Sequence, residues 1–425
     1  MNNFIKCPRG TKDILPKDNK KWHMIENKAH NILRSYGYEE IRTPIFEETK
    51  LFERGIGENT DVVDKEMYNF TDQGNRRLTL RPEGTAGVVR SFIENQLYND
   101  KINRLWYCGP MFRYERPQSG RQRQFHQIGI ECIGSDDARA DFEIIAIAWN
   151  FFSSLKVSKI SLELNSIGDH NDRSKYIVAL KKFFIENKDL LDPESIEKID
   201  KNPLRILDSK KESIKKIIEK APLLPNFLSE KSKEHFNQLC DYLTHSKIPY
   251  KINPMLVRGL DYYTYTAFEI KAKDLGAQDT ICGGGRYNNL IQELGGPSIP
   301  AVGCGIGIER LLLVCNEREN ILPLDFIVVS MDKKTKNYSI KVMNLLQKMG
   351  FNVEISLYET RIQKQLKKAI QAKAIACVII GEEEVKNNVI SIKWIKSKEQ
   401  TEVNVQDLKL LKKIYIDQVF VGFNY

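Results

Sequence analysis

The sequence predicts two folding units of different class: a mixed α and β unit whose sheet is discontinuous along the chain and interrupted by a helical insertion, then a smaller α/β unit. Three observations predict it. The stretch "MFRYERPQSGRQRQFHQIGIE", residues 111–131, reads as a hairpin, because Pro117, Ser119 and Gly120 break two alternating flanks. Lysine-rich helical pieces separated by Pro193, Pro203, Pro222 and Pro225 occupy 169–253 without any chemistry-bearing cluster. After Pro323 strands and helices alternate, which implies a parallel sheet in a separate small unit.

Each element follows from local pattern. "NKKWHMIENKAHNILRSYGY" has apolar positions at helical spacing and ends at Gly37, a helix C-cap, and Pro44 holds "EEIRTPIF" extended. In the hairpin, the period of two sets Ile128, Ile130 and Cys132 on one face and Phe125, Gln127, Gly129 and Glu131 on the other. A simple register opposes Arg113 to Gln127 and Gly109 to Glu131, gathering a polar floor for a small ligand, with Gly109 and Gly129 leaving room above the backbone. A hairpin with one solvated face would alternate in the same way. "ARADFEIIAIAWNFFSSL" is a long buried helix and "KISLELNSIG" a strand; strand and turn signals resume in "RGLDYYTYTAFEIKA", "CGGGRYNNL" and "AVGCGIGIERLLLVC". The last unit reads strand "DFIVVS", helix "NYSIKVMNLLQKMG", strand "FNVEIS", helix "RIQKQLKKAIQAK", strand "AIACVIIG".

With 41% apolar and 28% charged residues in 425, the chain has the composition of a soluble globular protein of two to four domains. No signal-peptide or membrane-spanning run occurs, so a cytoplasmic location is expected. Eight scattered cysteines without a C-x-x-C pair read as reduced core residues rather than a zinc site. From Asp325 onward 17 Lys and Arg face 11 Asp and Glu, so most of the net +9 lies in the last unit, as suits a polyanion partner or simply a solvated surface.

There is no P-loop, nucleophile elbow or H-E-x-x-H, and "GCGIGIE" lacks the third glycine of a dinucleotide fingerprint. What remains is a set of arginines beside glycines. In "LTLRPEGTAGVVRSF", Glu83 and Thr85 stand where a helix starts, either as a cap or to hold an ammonium group. In "LVRGLDYYTYTAFEI", Arg258 precedes Asp261, Tyr262 and Tyr263, a polar density costly in a core unless it is paired. In "PAVGCGIGIERLLLV", helix packing accounts for the glycines but not for Arg310 among Ile308, Leu311 and Leu312. "CGGGRYNNL" reads as a turn carrying Arg286.

These residues resemble the class II aminoacyl-tRNA synthetases. Arg113 to Glu131 looks like their motif 2, "AVGCGIGIERLLL" their motif 3 and "GYEEIRTPIFEE" their motif 1. "LVRGLDYYT" and "CGGGRYNNLIQELGG" are similar to the two segments special to histidyl-tRNA synthetase, and "RGTKDILP" fits its N-terminus. Asn288 and Asn289 stand where that family usually has Asp-Gly, and "TYTAFEI" is a looser match. The resemblance implies a catalytic domain with a mainly antiparallel sheet flanked by helices over 1–168 and 254–322, a helical insertion over 169–253 and an α/β anticodon-binding domain over 323–425.

It also implies ATP-dependent ligation of L-histidine to tRNA(His) through histidyl-adenylate. Arg113 and Arg258 would act on the α-phosphate, where charge builds up. Phe125 would stack on the adenine with Arg310 opposite, Glu115 would reach the adenine and Arg121 the phosphate tail. Glu83, Gln127 and Thr85 would meet the histidine ammonium, Glu131 and Tyr263 its imidazole, with Tyr262 lining the pocket. Arg116, Gln118 and Arg123, expected to be exposed, would touch tRNA. ATP would enter with Mg2+, whose ligands the sequence does not name; no tightly bound cofactor, no membrane and a homodimer are expected. Two alternatives are a histidine-binding regulatory subunit of ATP phosphoribosyltransferase, which lacks the anticodon domain, and a plain RNA-binding protein.

Overall fold

The computed structural model describes residues 5–420, apart from 58–59, 61, 100–101, 208, 210, 258, 277–278, 318–323 and 358–361 and the side chains of 205, 212 and 420. Arg258 therefore lies outside the described residues. The chain forms two compact units, residues 1–319 and 320–425.

The first unit is built on an eight-stranded sheet ordered Glu39–Glu40, Asn103–Phe112, Gln124–Ile133, Ala301–Gly307, Thr280–Arg286, Thr264–Ala272, Ile160–Gly168 and Tyr250–Ile252. All neighbours are antiparallel except the pair at each edge. Its centre is thus assembled from two hairpin strands and three strands from beyond the insertion, as the discontinuous pattern requires. On one face Trp106, Ile128, Ile130 and Cys132 pack beneath the helices Pro16–Ser35, Ala138–Ser154 and Glu230–His245. The other face is the one that carries Gln127 and Glu131.

The hairpin register differs from the simple one: Gly109 opposes Gln127 and Leu105 opposes Glu131. The strands end at Phe112 and Gln124, so the connection is longer than the Pro–Ser–Gly segment alone indicates. The slip is of even length, so the side chains keep their faces; an odd one would have exchanged them. "CGGGRY" is also not a turn. Gly283, Gly284 and Gly285 lie within the strand Thr280–Arg286, and a Cβ on Gly284 would collide with the Gly303 carbonyl of the next strand.

Between Ile160–Gly168 and Tyr250–Ile252 the insertion is helical, with His170–Glu186, Pro193–Lys201, Glu212–Ile218 and Glu230–His245. The second unit has the order Val353–Ile355, Phe326–Ser330, Ala376–Ile380, Val389–Trp394, Gln400–Asn404. Its first three strands are parallel, as expected, but the last two pair antiparallel, so the sheet is mixed. The alternation of "VISIKW" and "TEVNV" around Lys398, whose φ of 61° marks a tight turn, is the physical reason.

Candidate active site

Two glycines of Ala301–Gly307 shape the floor of the site. A Cβ on Gly303 would occupy the place of the Glu131 carboxylate, and one on Gly305 that of the Gln127 amide. The glycines therefore leave space for two polar side chains of the adjacent strand, rather than for the helix packing the sequence allowed. Gly109 and Gly129 do not clear space for a ligand. The Arg81 guanidinium fills the first gap and the Tyr107 ring the second.

Above this floor opens a cavity of about 490 Å³. Glu83, Thr85, Gln127, Tyr262 and Tyr263 line one part of it; Arg113, Glu115, Arg121, Phe125 and Arg310 line the rest. Glu131 is fully buried and does not itself line the cavity; it lies behind Thr85 and Tyr287, which do.

The first part is a hydrogen-bond network around Glu131 and Glu83. Glu131 accepts from Thr85 Oγ1 at 2.7 Å and from the Tyr287 hydroxyl at 2.5 Å. Burial pushes its carboxyl up to about 8, against the pull of those two donors. Glu83 accepts from the backbone N–H of Thr85 at 2.8 Å and of Ala86 at 2.7 Å, so it does cap the helix Thr85–Glu94 while facing the cavity. Burial also raises the pKa of Glu83, and raises the hydroxyls of Tyr107, Tyr262 and Tyr287 well above the ordinary phenol value. These tyrosines stay protonated, and Tyr287 is the O–H donor to Glu131. The ring of Tyr262 lies 4.7 Å from Tyr263 and 5.7 Å from Tyr287. Gln127 Oε1 is buried with no hydrogen-bond partner among the described residues.

Charge dominates the other part. Arg113 donates from Nε to the Pro82 carbonyl at 2.8 Å and holds its guanidinium 5.6 Å from the Phe125 ring. Arg310 donates to the Thr280 carbonyl; burial, then the nearby Arg121, lowers its pKa from the ordinary arginine value. Arg121 pairs with Glu115 at 2.9 Å. Phe125 and Arg310 come together because their neighbours are joined: Glu309 accepts from the His126 backbone N–H at 2.9 Å and meets His126 Nδ1 at 3.0 Å.

Sequence reasoning missed Tyr287, Glu309, Glu269 and Lys271. All four line the cavity, Glu269 accepting from Thr280 Oγ1 at 2.9 Å and Lys271 pairing with Glu163 at 2.9 Å. The alternation of "AFEIKA" places Glu269 and Lys271 on one face, a usable signal. Arg286 stands apart: it is fully buried against Asp141, with Nη1 donating to the Ser135 carbonyl at 2.7 Å, so it is structural rather than a turn residue.

In the hairpin loop, Gln118 and Arg121 exchange backbone hydrogen bonds of 3.0 Å, a tight turn that leaves Arg116 and Gln118 exposed. Arg123 is less exposed than expected. Its guanidinium lies 3.8 Å from the Tyr114 ring centre and its stem packs against Gly10. No group of three or more His, Cys, Asp or Glu placed to hold a metal occurs among the described residues.

Residues 10–311 match the histidyl-tRNA synthetase family, and residues 325–413 match the anticodon-binding domain family. The chain belongs to the histidyl-tRNA synthetase family. It is 51% identical over 410 residues to the chloroplastic histidine–tRNA ligase of Pyropia yezoensis, covering 95% of each chain. It is likewise 51% identical over 411 residues to the histidine–tRNA ligase of Acaryochloris marina, covering 96% of each. The crystal structure of apo S. aureus histidyl-tRNA synthetase superposes with a TM-score of 0.80 at 38% identity, over 97% of this chain and all of the other.

Proposed function

We propose that this protein is a histidine–tRNA ligase that joins L-histidine to tRNA(His) at the expense of ATP. The observation that carries the reading is the buried, unpartnered Gln127 Oε1 in the cavity shared with Glu83. A buried acceptor without a donor is costly, and an amino-acid ammonium group supplies three. Glu83 and Gln127 hold that ammonium with help from Thr85, while Glu131, kept in place by Thr85 and Tyr287, and Tyr263 take the imidazole; Tyr262 closes the pocket.

The histidine carboxylate then attacks the α-phosphorus of ATP and pyrophosphate leaves. Arg113 stabilises the charge that builds on the α-phosphate, and Arg258 shares this role. Phe125 and Arg310 sandwich the adenine, Glu115 reaches its edge, and Arg121 swings from Glu115 to the phosphate tail. Mg2+ would enter with ATP and would neutralise phosphate charge there. The terminal adenosine hydroxyl of the tRNA next attacks the acyl carbon and AMP departs, with Arg116, Gln118 and Arg123 touching the tRNA.

The enzyme works in the cytoplasm as a homodimer. Phe46 and Phe70, 52% and 43% exposed with ring centres 6.1 Å apart, lie on a three-stranded sheet of Phe46–Glu48, Arg77–Leu80 and Tyr68–Thr71 at the end of the motif 1 segment, an apolar face that a second copy covers. No helix among the described residues is long and apolar enough to cross a membrane. Pyrophosphate exchange screened over all amino acids tests the reading: histidine alone supports rapid exchange, and equal exchange with phenylalanine or glutamine refutes it. Light scattering of a fully active monomer would refute the dimer.

A further inference from the structure

A single loop separates the cavity from the helical insertion. Val257, Gly259, Leu260 and Tyr263 border the large cavity on one side. On the other side the same four border a pocket of about 40 Å³, closed by Arg173, Asn202, Leu204 and Leu224 of the insertion. The loop is therefore a partition, and its far wall is the insertion.

Polar contacts from the insertion converge on Asp261 of that partition. Arg173, in the first turn of His170–Glu186, donates from Nη1 to the Asp261 carbonyl at 2.7 Å and from Nη2 to its carboxylate at 3.3 Å. Asn202, at the end of Pro193–Lys201, donates from Nδ2 to the two carboxylate oxygens at 3.3 and 3.4 Å. From the opposite direction the Asp261 N–H reaches the Ile56 carbonyl at 3.2 Å. Arg173 and Asp261 are only 23% and 30% exposed. Further back along the loop, Asn165 Nδ2 donates to the Pro254 and Leu256 carbonyls at 3.3 and 3.0 Å. Apolar packing runs the same way: Tyr176, Leu180, Leu204 and Leu224 of the insertion share one core cluster with Tyr262 and Tyr263.

We propose that the helical insertion is a working part of the histidine pocket, with Arg173 and Asn202 as positioning residues that hold Asp261 and thereby set the two tyrosines following it. The inference rests on the reading of the cavity as a histidine and ATP site. A guanidinium fork on one carbonyl and one carboxylate fixes direction as well as distance, which a single long amine does not. Arg173 touches no substrate in this scheme; its effect travels through the backbone from Asp261 to Tyr262 and Tyr263.

The test is steady-state pyrophosphate exchange, normalised by active-site titration, on the full-length protein and on Arg173→Ala, Arg173→Lys, Asn202→Ala and Asp261→Asn. Arg173→Ala raises the histidine KM roughly tenfold, the scale of one lost charged hydrogen bond, and leaves the ATP KM within about twofold. Arg173→Lys and Asn202→Ala give smaller shifts of the same kind. In the double variant Arg173→Ala with Asp261→Asn the losses combine to less than their product. A variant that only lowers the titrated active fraction, or shifts both KM values alike, overturns the inference. If the wild-type protein shows no histidine-dependent exchange, the reading of the cavity falls and this inference with it.

Discussion

The two ends of the cavity are built on opposite electrostatic plans. At the end proposed for histidine Glu131 and Tyr287 are almost completely enclosed and Glu83 is 3% exposed, with every carboxylate oxygen named there satisfied by protein donors. At the end proposed for ATP the Arg121–Glu115 pair is 42% and 19% exposed, and Arg113 and Arg310 donate to the backbone carbonyls of Pro82 and Thr280. The difference teaches how each end obtains its selectivity. An enclosed network discriminates by leaving the wrong ligand's neighbours unpaired, whereas half-exposed cations hold a polyphosphate by charge and reorganise cheaply when it arrives.

The largest expected effect comes from breaking the enclosed end. Glu131→Ala leaves the Thr85 and Tyr287 hydroxyls without their acceptor, and histidine-dependent exchange falls by as much as ~10⁴, the scale of a lost polar match. ATP binding, measured by equilibrium dialysis, survives. At the open end Arg113→Ala lowers adenylate formation by about 10² while histidine binding changes little, because its charge acts mainly on the transition state. If either variant damaged both substrates equally, the two ends would not be separable.

A smaller effect appears in stability against pH. In the unfolded chain the Glu131 carboxyl titrates in the ordinary range near 4.3, and in the folded protein burial holds it at about 8. Between these values the folded state keeps a proton that the unfolded state has released, so this group costs increasing stability as pH rises through the window. Glu131→Gln removes the dependence. Its Tm, measured against that of the wild type, therefore improves from pH 5 to pH 8.5; a constant difference would mean that burial is not governing the group.

These ends were unequally legible in the sequence. Strand alternation placed Gln127 and Glu131 on one face correctly, and an even register error left that result intact, because a two-residue period is insensitive to slips of two or four. The glycines were visible but their purpose was not. Whether a missing Cβ makes room for a ligand, as expected at Gly129, or for Tyr107, as found, depends on a side chain from another strand. The same limit explains Arg286 and Arg310: both follow glycines in sequence, yet one is buried on Asp141 and the other lines the cavity. Local pattern places a charge on a strand or helix; only tertiary packing decides which side of the sheet supplies its partner.

The smallest expected effect lies outside both ends, in the hairpin loop. Arg116 and Gln118 are exposed, and the Gln118–Arg121 turn directs Arg121 back to Glu115, so the first two have no part in holding ATP. Exposed arginine and glutamine on a short loop suit RNA phosphates and base edges, and the resemblance to histidyl-tRNA synthetases implies that this loop reads an extra guanosine at the 5′ end of histidine tRNAs. Arg116→Ala or Gln118→Ala accordingly leaves exchange unchanged and slows aminoacylation by less than about tenfold, a base-edge contact being worth roughly 1–3 kcal/mol when fully made. The loss is confined to tRNA that carries the guanosine. Arg123→Ala behaves differently, because its guanidinium lies on the Tyr114 ring and its stem against Gly10. It loosens the base of the loop and weakens both tRNAs alike. Equal losses on both tRNAs for Arg116→Ala would remove the base-reading role, and a parallel loss of exchange would make the loop part of the open end after all.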